Sequence, residues 1–140
     1  MVGAETRTHS DLDVAIDQVD LPEAERRLAA HGFAHAADVE PGLPARYVLR
    51  DDRGRQVDLH VLAFEDGDGW QTLPDGSRGR YPGSELGCTG KIGGLAVPCI
   101  SPALQLRHHL GYEPTDRDRH DMQLLATAFG FRLPAPLQHC

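Results

Sequence analysis

Basic charge is scarce in this 140-residue chain: 14 Lys and Arg stand against 21 Asp and Glu, leaving a formal charge of −7. A nucleic-acid partner usually requires a basic face, so that class is set aside and small phosphorylated substrates fit better. Cysteine is equally sparse. Cys88, Cys99 and Cys140 form an odd, widely spaced set that argues against a disulfide framework. No run is long and apolar enough to span a bilayer, and the N-terminus carries no hydrophobic signal stretch. A soluble cytoplasmic protein without a membrane partner is therefore expected. There is no internal repeat, and the length allows one domain with a real core. Histidine, by contrast, is plentiful, at eight residues. His108, His109 and His120 near Cys99 raise a zinc site, but their spacing matches neither C-x-x-C nor H-E-x-x-H, so structural and solvent-exposed roles are expected.

Within this acidic background, Asp11-Leu12-Asp13 stands out, because Asp is depleted in strand interiors and two of them interrupt an apolar run from Leu12 to Ile16. Successive strand side chains point to opposite faces, which sets Asp11 and Asp13 on one face and Leu12, Val14 and Ile16 on the other. Two like charges roughly 7 Å apart, twice the rise per residue, repel one another. A divalent cation removes that conflict. Mg²⁺ prefers hard oxygen ligands and is usually held by one or two carboxylates together with substrate phosphates. Short D-x-D patterns also arise by chance in acidic chains, so the pair suggests phosphate chemistry only through its strand setting.

Further along, Asp20, Pro22 and Glu23 predict a capped helix reaching about His31, with Leu21, Ala24 and Leu28 on one stripe and Gly32 as its stop. Ala45 to Arg50 and Arg55 to Phe64 read as two strands around an Asp51–Gly54 turn. Val57, Leu59 and Val61 alternate there with Asp58 and His60. A third carboxylate thus lies mid-strand beside a histidine, where an ordinary solvent-facing polar edge is the competing reading. Residues 65–83, rich in Gly, Asp and Pro, predict a long loop or irregular hairpin, and such segments over a rigid scaffold form binding walls; Trp70 and Tyr81 are its candidate substrate contacts. Four glycines surround Lys91 in residues 87–94, without the spacing of a Walker loop. Val97 to Ile100 predict a short strand, Ser101-Pro102 the start of a helix ended by Gly111, and Asp116 to Phe129 a last helix with Met122, Leu125 and Phe129 inward. The mixture lacks regular βαβ alternation, which favours an α+β domain over residues 1–132, followed by a loosely attached tail at 133–140.

With these elements placed, the chain resembles the small nucleotidyltransferases of antibiotic resistance, most closely the lincosamide nucleotidyltransferase type. The matching blocks are Arg7 to Asp13, Val57 to His60, Val97 to Ser101, Gln105 to Tyr112 and Asp118 to Leu125, in family order. The aminoglycoside adenylyltransferases, within the polymerase-β-like superfamily, are a more distant resemblance. The resemblance implies an α+β nucleotidyltransferase fold, a mixed sheet packed by helices. It also implies a reaction in which a drug hydroxyl attacks the α-phosphorus of ATP with Mg²⁺ as cofactor. Asp11, Asp13 and Asp58 are the implied acidic set. Asp58 is either a metal ligand or the general base; we prefer base, with His60 in support. Arg7, His9 and Lys91 are candidate nucleotide contacts, and His109 and Asp121 match family positions that line the nucleotide or drug cleft, where packing and capping are the alternative roles. Homodimerisation is left open.

The resemblance departs at one place. Family members carry a strand and helix with a Gly-Gly-Trp or Gly-Ser turn upstream of D-x-D. Here ten residues precede Asp11 and Gly3 stands alone. The first helix and strand of the fold are therefore expected to be missing, with Met1 either an internal methionine or the start of a natural short form. This motivates an alternative function, a truncated or degenerate non-catalytic domain acting as a binding or toxin–antitoxin partner. Nucleotidylation of itself or of another protein is a third.

Overall fold

The computed structural model describes residues 6–37 and 46–138; Gly3, Ala45 and Cys140, invoked above, lie outside them. Two compact units are present, one of Arg7–Pro82 and one running on from Gly83.

The first unit contains β1 (Asp11–Asp17), α1 (Leu21–Ala30), β2 (Ala34–His35), β3 (Arg46–Arg50), β4 (Gln56–Glu65), β5 (Asp68–Thr72) and β6 (Arg78–Tyr81). Strands β2 to β6 follow one another as antiparallel neighbours, and β1 joins β4 in parallel, so the sheet is mixed and the α+β class holds. Strand β4 is the centre of this unit because its Val57-x-Leu59-x-Val61 alternation provides an apolar face. Leu59 and Leu62, at 2% and 1% exposure, are among its most deeply buried side chains. Each stabilises the fold by about 1.5–3 kcal/mol through burial. The apolar face of β1 is less well covered than alternation suggests, since Leu12 remains about half exposed.

Helix α1 starts where expected, but without the predicted capping box. Asp20 already has a helical backbone (φ −92°, ψ −10°), which directs its side chain away from the orphan N–H groups, and Glu23 instead binds Arg26 and Arg27. The β3–β4 turn is held by Asp51, which accepts hydrogen bonds from the Arg53 and Arg55 amides and from the Arg55 guanidinium.

Residues 65–83 are more regular than the sequence led us to expect. Asp66 and Gly67 both take positive φ (51° and 85°), as a two-residue hairpin turn demands, and they connect β4 to β5. The meander then continues through β6, so a regular sheet extension stands where a long loop or irregular hairpin was expected.

The second unit holds a hairpin, β7 (Cys88–Ile92) and β8 (Leu95–Cys99), then α2 (Pro102–His108) and α3 (Asp116–Phe129). The Ser101 hydroxyl caps α2 by accepting from the Leu104 amide, and it donates to Glu85. Thr115 and Asp118 form a full capping box at α3, and Gly130 ends it in the left-handed conformation (φ 71°). The inward face of α3 consists of Met122, Leu125 and Ala126, whereas Phe129 is half exposed. The expected loose tail is instead part of this core: Leu133 and Leu137 are buried against α3, and a single 3-10 turn at Ala135–Leu137 brings them there.

Candidate active site

The parallel register of β1 against β4 builds the site. Asp11 lies opposite Gln56, Asp13 opposite Asp58, and Ala15 opposite His60. On the other side of β4, Arg46 lies opposite His60 and Val48 opposite Asp58. Paired residues share a face, so one face of the sheet carries Asp11, Asp13, Gln56, Asp58, His60 and Arg46. The sequence-predicted acidic set is therefore brought to a single face, across a strand pairing that spans more than forty residues of sequence.

Its members differ in environment. Asp13 is open, with 69% of its side chain exposed, and Asp11 is exposed beside the Ser10 hydroxyl, which donates to it at 3.2 Å. Asp58 is enclosed, with 1% side-chain exposure; Oδ2 accepts from the Arg46 guanidinium and Oδ1 from Gln56 Nε2 at 3.0 Å. His60 stands between these two situations. Its Nε2 is 2.9 Å from Asp13 Oδ1, and its Nδ1 is 3.1 Å from Gln71 Nε2. Gln71 Oε1 in turn accepts from the Tyr81 hydroxyl at 2.9 Å. Burial, aided by the negative charge of Asp13, pushes the Tyr81 phenol up to about 12.

The other predicted residues distribute differently. Tyr81 is buried behind Gln71, so it meets the site from inside the sheet and does not form an exposed wall. Trp70 lies on another surface. Alternation on β5 sets it on the face opposite Gln71, where the Arg78 guanidinium lies 4.7 Å from its ring and is tied to Glu65. Arg7 and His9 immediately precede β1, and the Arg7 guanidinium donates to the Thr8 carbonyl. Lys91 and His109 belong to the second unit. Lys91 is exposed on β7 opposite Ala96, in a regular hairpin and not a phosphate-cradling loop. His109 follows α2; its Nδ1–H donates to the Gln105 carbonyl at 2.9 Å, and its Nε2 lies 3.6 Å from Asp118 Oδ1. Asp118 is held below the usual carboxylate range although burial opposes it, because Thr115 donates to it through hydroxyl and amide and His109 lies beside it.

Three residues of this face were not singled out from sequence: Arg46, Gln56 and Gln71. Only Gln71 had an available signal, the Asp66-Gly67 dipeptide, which marks a hairpin and hence a strand carrying Gln71 back beside β4.

The donor set suits a hard cation in part. Asp11 and Asp13 are exposed, share a face, and match the one or two carboxylates that hold Mg²⁺ alongside phosphates. Asp58 is engaged elsewhere. Among the described residues, no group of three or more His, Cys, Asp or Glu side chains is placed to hold a metal ion.

The chain is similar to a lincosamide resistance protein from Staphylococcus haemolyticus, 25% identical over 126 residues that span 89% of this chain and 76% of that protein. Its fold is similar to the crystal structure of the lincosamide antibiotic adenylyltransferase LnuA bound to lincomycin. The TM-score is 0.76 at 25% identity, covering 91% of this chain and 78% of the other. The aminoglycoside-2''-adenylyltransferase family matches over residues 1–125. Because that match takes in the β1 carboxylates, the β4 carboxylate and most of α3, the chain belongs to the aminoglycoside-2''-adenylyltransferase family, as a nucleotidyltransferase of the lincosamide-resistance type.

Proposed function

We propose that this protein transfers AMP from ATP to a hydroxyl of a small antibiotic, a lincosamide or an aminoglycoside. The observation that carries the reading is the β1–β4 register, which sets Asp11, Asp13 and Asp58 on one face of the sheet with the first two open to solvent. The family match and the likeness to a lincomycin-bound adenylyltransferase support the substrate class.

In this reading the acceptor hydroxyl oxygen attacks the α-phosphorus of ATP. The new O–P bond forms as the bond to the β-phosphate bridging oxygen breaks, and pyrophosphate leaves. Asp58 takes the hydroxyl proton, and Arg46 is its partner before substrate arrives. Asp11 and Asp13 are the residues that would hold Mg²⁺, which would offset charge on the triphosphate. Arg7 and His9, immediately before β1, contact the phosphates. His60 supports the site by holding Asp13 in place.

The test is incubation of the purified chain with ATP, Mg²⁺ and a panel of lincosamides and aminoglycosides, followed by mass spectrometry of the drugs. One drug is expected to gain the mass of one AMP, with pyrophosphate released in equal amount. No modified drug across both classes would overturn the reading.

A further inference from the structure

We propose that Gln71 and Tyr81 are positioning residues that fix the tautomer and ring orientation of His60, and through His60 the Asp13 carboxylate. The importance for turnover rests on the functional reading above; the structural content does not. Gln71 and Tyr81 are both buried, at 7% and 6% exposure, and a buried amide or hydroxyl has to find its partners within the protein.

The direction of each hydrogen bond dictates the next. The Tyr81 hydroxyl donates to Gln71 Oε1 at 2.9 Å, which leaves the amide NH₂ as the end that faces His60. An amide NH₂ only donates, so His60 Nδ1, 3.1 Å away, is the acceptor and carries no proton. In a neutral imidazole the proton then resides on Nε2, which donates to Asp13 Oδ1 at 2.9 Å. In a neutral ring the reverse amide orientation would put the proton on Nδ1 and turn the Nε2 lone pair toward the Asp13 carboxylate, two acceptors in contact. The elevated Tyr81 phenol keeps its proton through the neutral range, so the sequence of donors begins reliably.

This arrangement sets an N–H donor against a carboxylate at the surface of the sheet. Asp13 is largely solvent-exposed and its strand neighbours do not enclose it. An N–H aimed from a ring that is itself held on the buried side limits its rotamers at little entropic cost during turnover. The sequence predicts Tyr81 as a substrate contact; the geometry gives it a role reached through Gln71 and His60.

The experiment uses the full chain, uniformly labelled with ¹⁵N, at about pH 8. Long-range ¹H–¹⁵N imidazole correlations report the tautomer, and the spectrum of His60→Gln assigns the His60 signals among the eight histidines. Wild type is expected in the Nε2–H form. Gln71→Glu offers an acceptor to Nδ1 and is expected to convert the signature to one with Nδ1 protonated. Tyr81→Phe keeps the buried ring, removes the donor to Gln71 Oε1, and is expected to give a mixture of both tautomers with an unchanged circular dichroism spectrum. In the transfer assay, Tyr81→Phe is expected to lower kcat about tenfold with little change in acceptor KM, the scale seen when a partner of a ligating side chain is lost. A wild-type ring with Nδ1 protonated, or a signature identical in wild type and both variants, overturns the proposal even if AMP transfer is observed. A wild type that transfers nothing yet shows the Nε2–H signature and its loss in Tyr81→Phe overturns the functional reading and supports the positioning.

Discussion

Replacing Arg46 with alanine removes the guanidinium that covers Asp58 Oδ2 and leaves an enclosed carboxylate with one donor, Gln56 Nε2. Breaking a fully buried ion pair by deleting one partner costs about 3–5 kcal/mol, because the remaining charge is uncompensated. A pair exposed on both sides is worth only about 0–1 kcal/mol. Here the two partners fall on either side of that divide, Asp58 at 1% exposure and Arg46 at 46%. Water can follow the departing Arg46 side chain and reach Oδ2, but the rest of the carboxylate stays inside the sheet. The cost therefore falls between the limits, at about 2 kcal/mol. With a urea m-value of about 2 kcal/mol/M, the unfolding midpoint of Arg46→Ala drops by about 1 M. Adding Asp58→Asn removes the stranded charge, so the double variant is expected to recover about half of that loss, a coupling that a four-protein cycle isolates. Equilibrium unfolding followed by circular dichroism is the assay. A midpoint for Arg46→Ala within about 0.2 M of wild type, with an additive double variant, would refute the argument that Asp58 depends on this partner.

Asp11→Asn and Asp13→Asn are each expected to abolish AMP transfer while leaving the thermal unfolding transition in place; unchanged turnover in either would remove the assigned role. Burial opposes ionisation of Asp51, but the Arg55 guanidinium and amide and the Arg53 amide hold its carboxyl below the ordinary value of 3.8. Its folded pKa is depressed, so its stabilisation is present above that value and is lost as pH falls toward the folded pKa. Asp51→Asn should thus be less stable than wild type at neutral pH and converge with it in acid, and an equal gap at both pH values would contradict this. Thr115→Ala removes the side-chain half of the α3 capping box and is expected to cost about 1 kcal/mol in urea unfolding; a shift indistinguishable from zero would show that the cap does not contribute.

What the sequence disclosed and what it hid follow from the range of the interactions involved. Helices α2 and α3 and the β3–β4 hairpin were legible because their signals are local: Ser101-Pro102 at one start, Gly130 at one end, and the alternation of Val57, Leu59 and Val61. The acidic residues were legible because charge in a strand conflicts with burial. Their grouping was expected only through a family resemblance, since it depends on a parallel pairing between β1 and β4 that no local pattern encodes. The β5–β6 meander was mistaken for a loop or irregular hairpin because Gly, Asp and Pro dominate its composition, and that concealed Gln71. A glutamine also attracts no notice as a chemical group; its place here comes entirely from the hydrogen bonds that two distant residues make to it. Asp20 failed as a cap for a backbone reason, and Leu133 and Leu137 joined the core despite neighbouring prolines because α3 leaves an apolar surface to be covered.

In the proposed function, the two open carboxylates of β1 present a metal-bound nucleoside triphosphate to the rest of the site. Calorimetric titration of ATP into wild type and into Asp11→Asn, each with Mg²⁺ and with chelator, addresses it directly. Wild type is expected to bind ATP measurably more tightly with Mg²⁺ than without, and Asp11→Asn to lose that difference. ATP affinity that is the same with Mg²⁺ and with chelator in the wild-type protein would contradict the account.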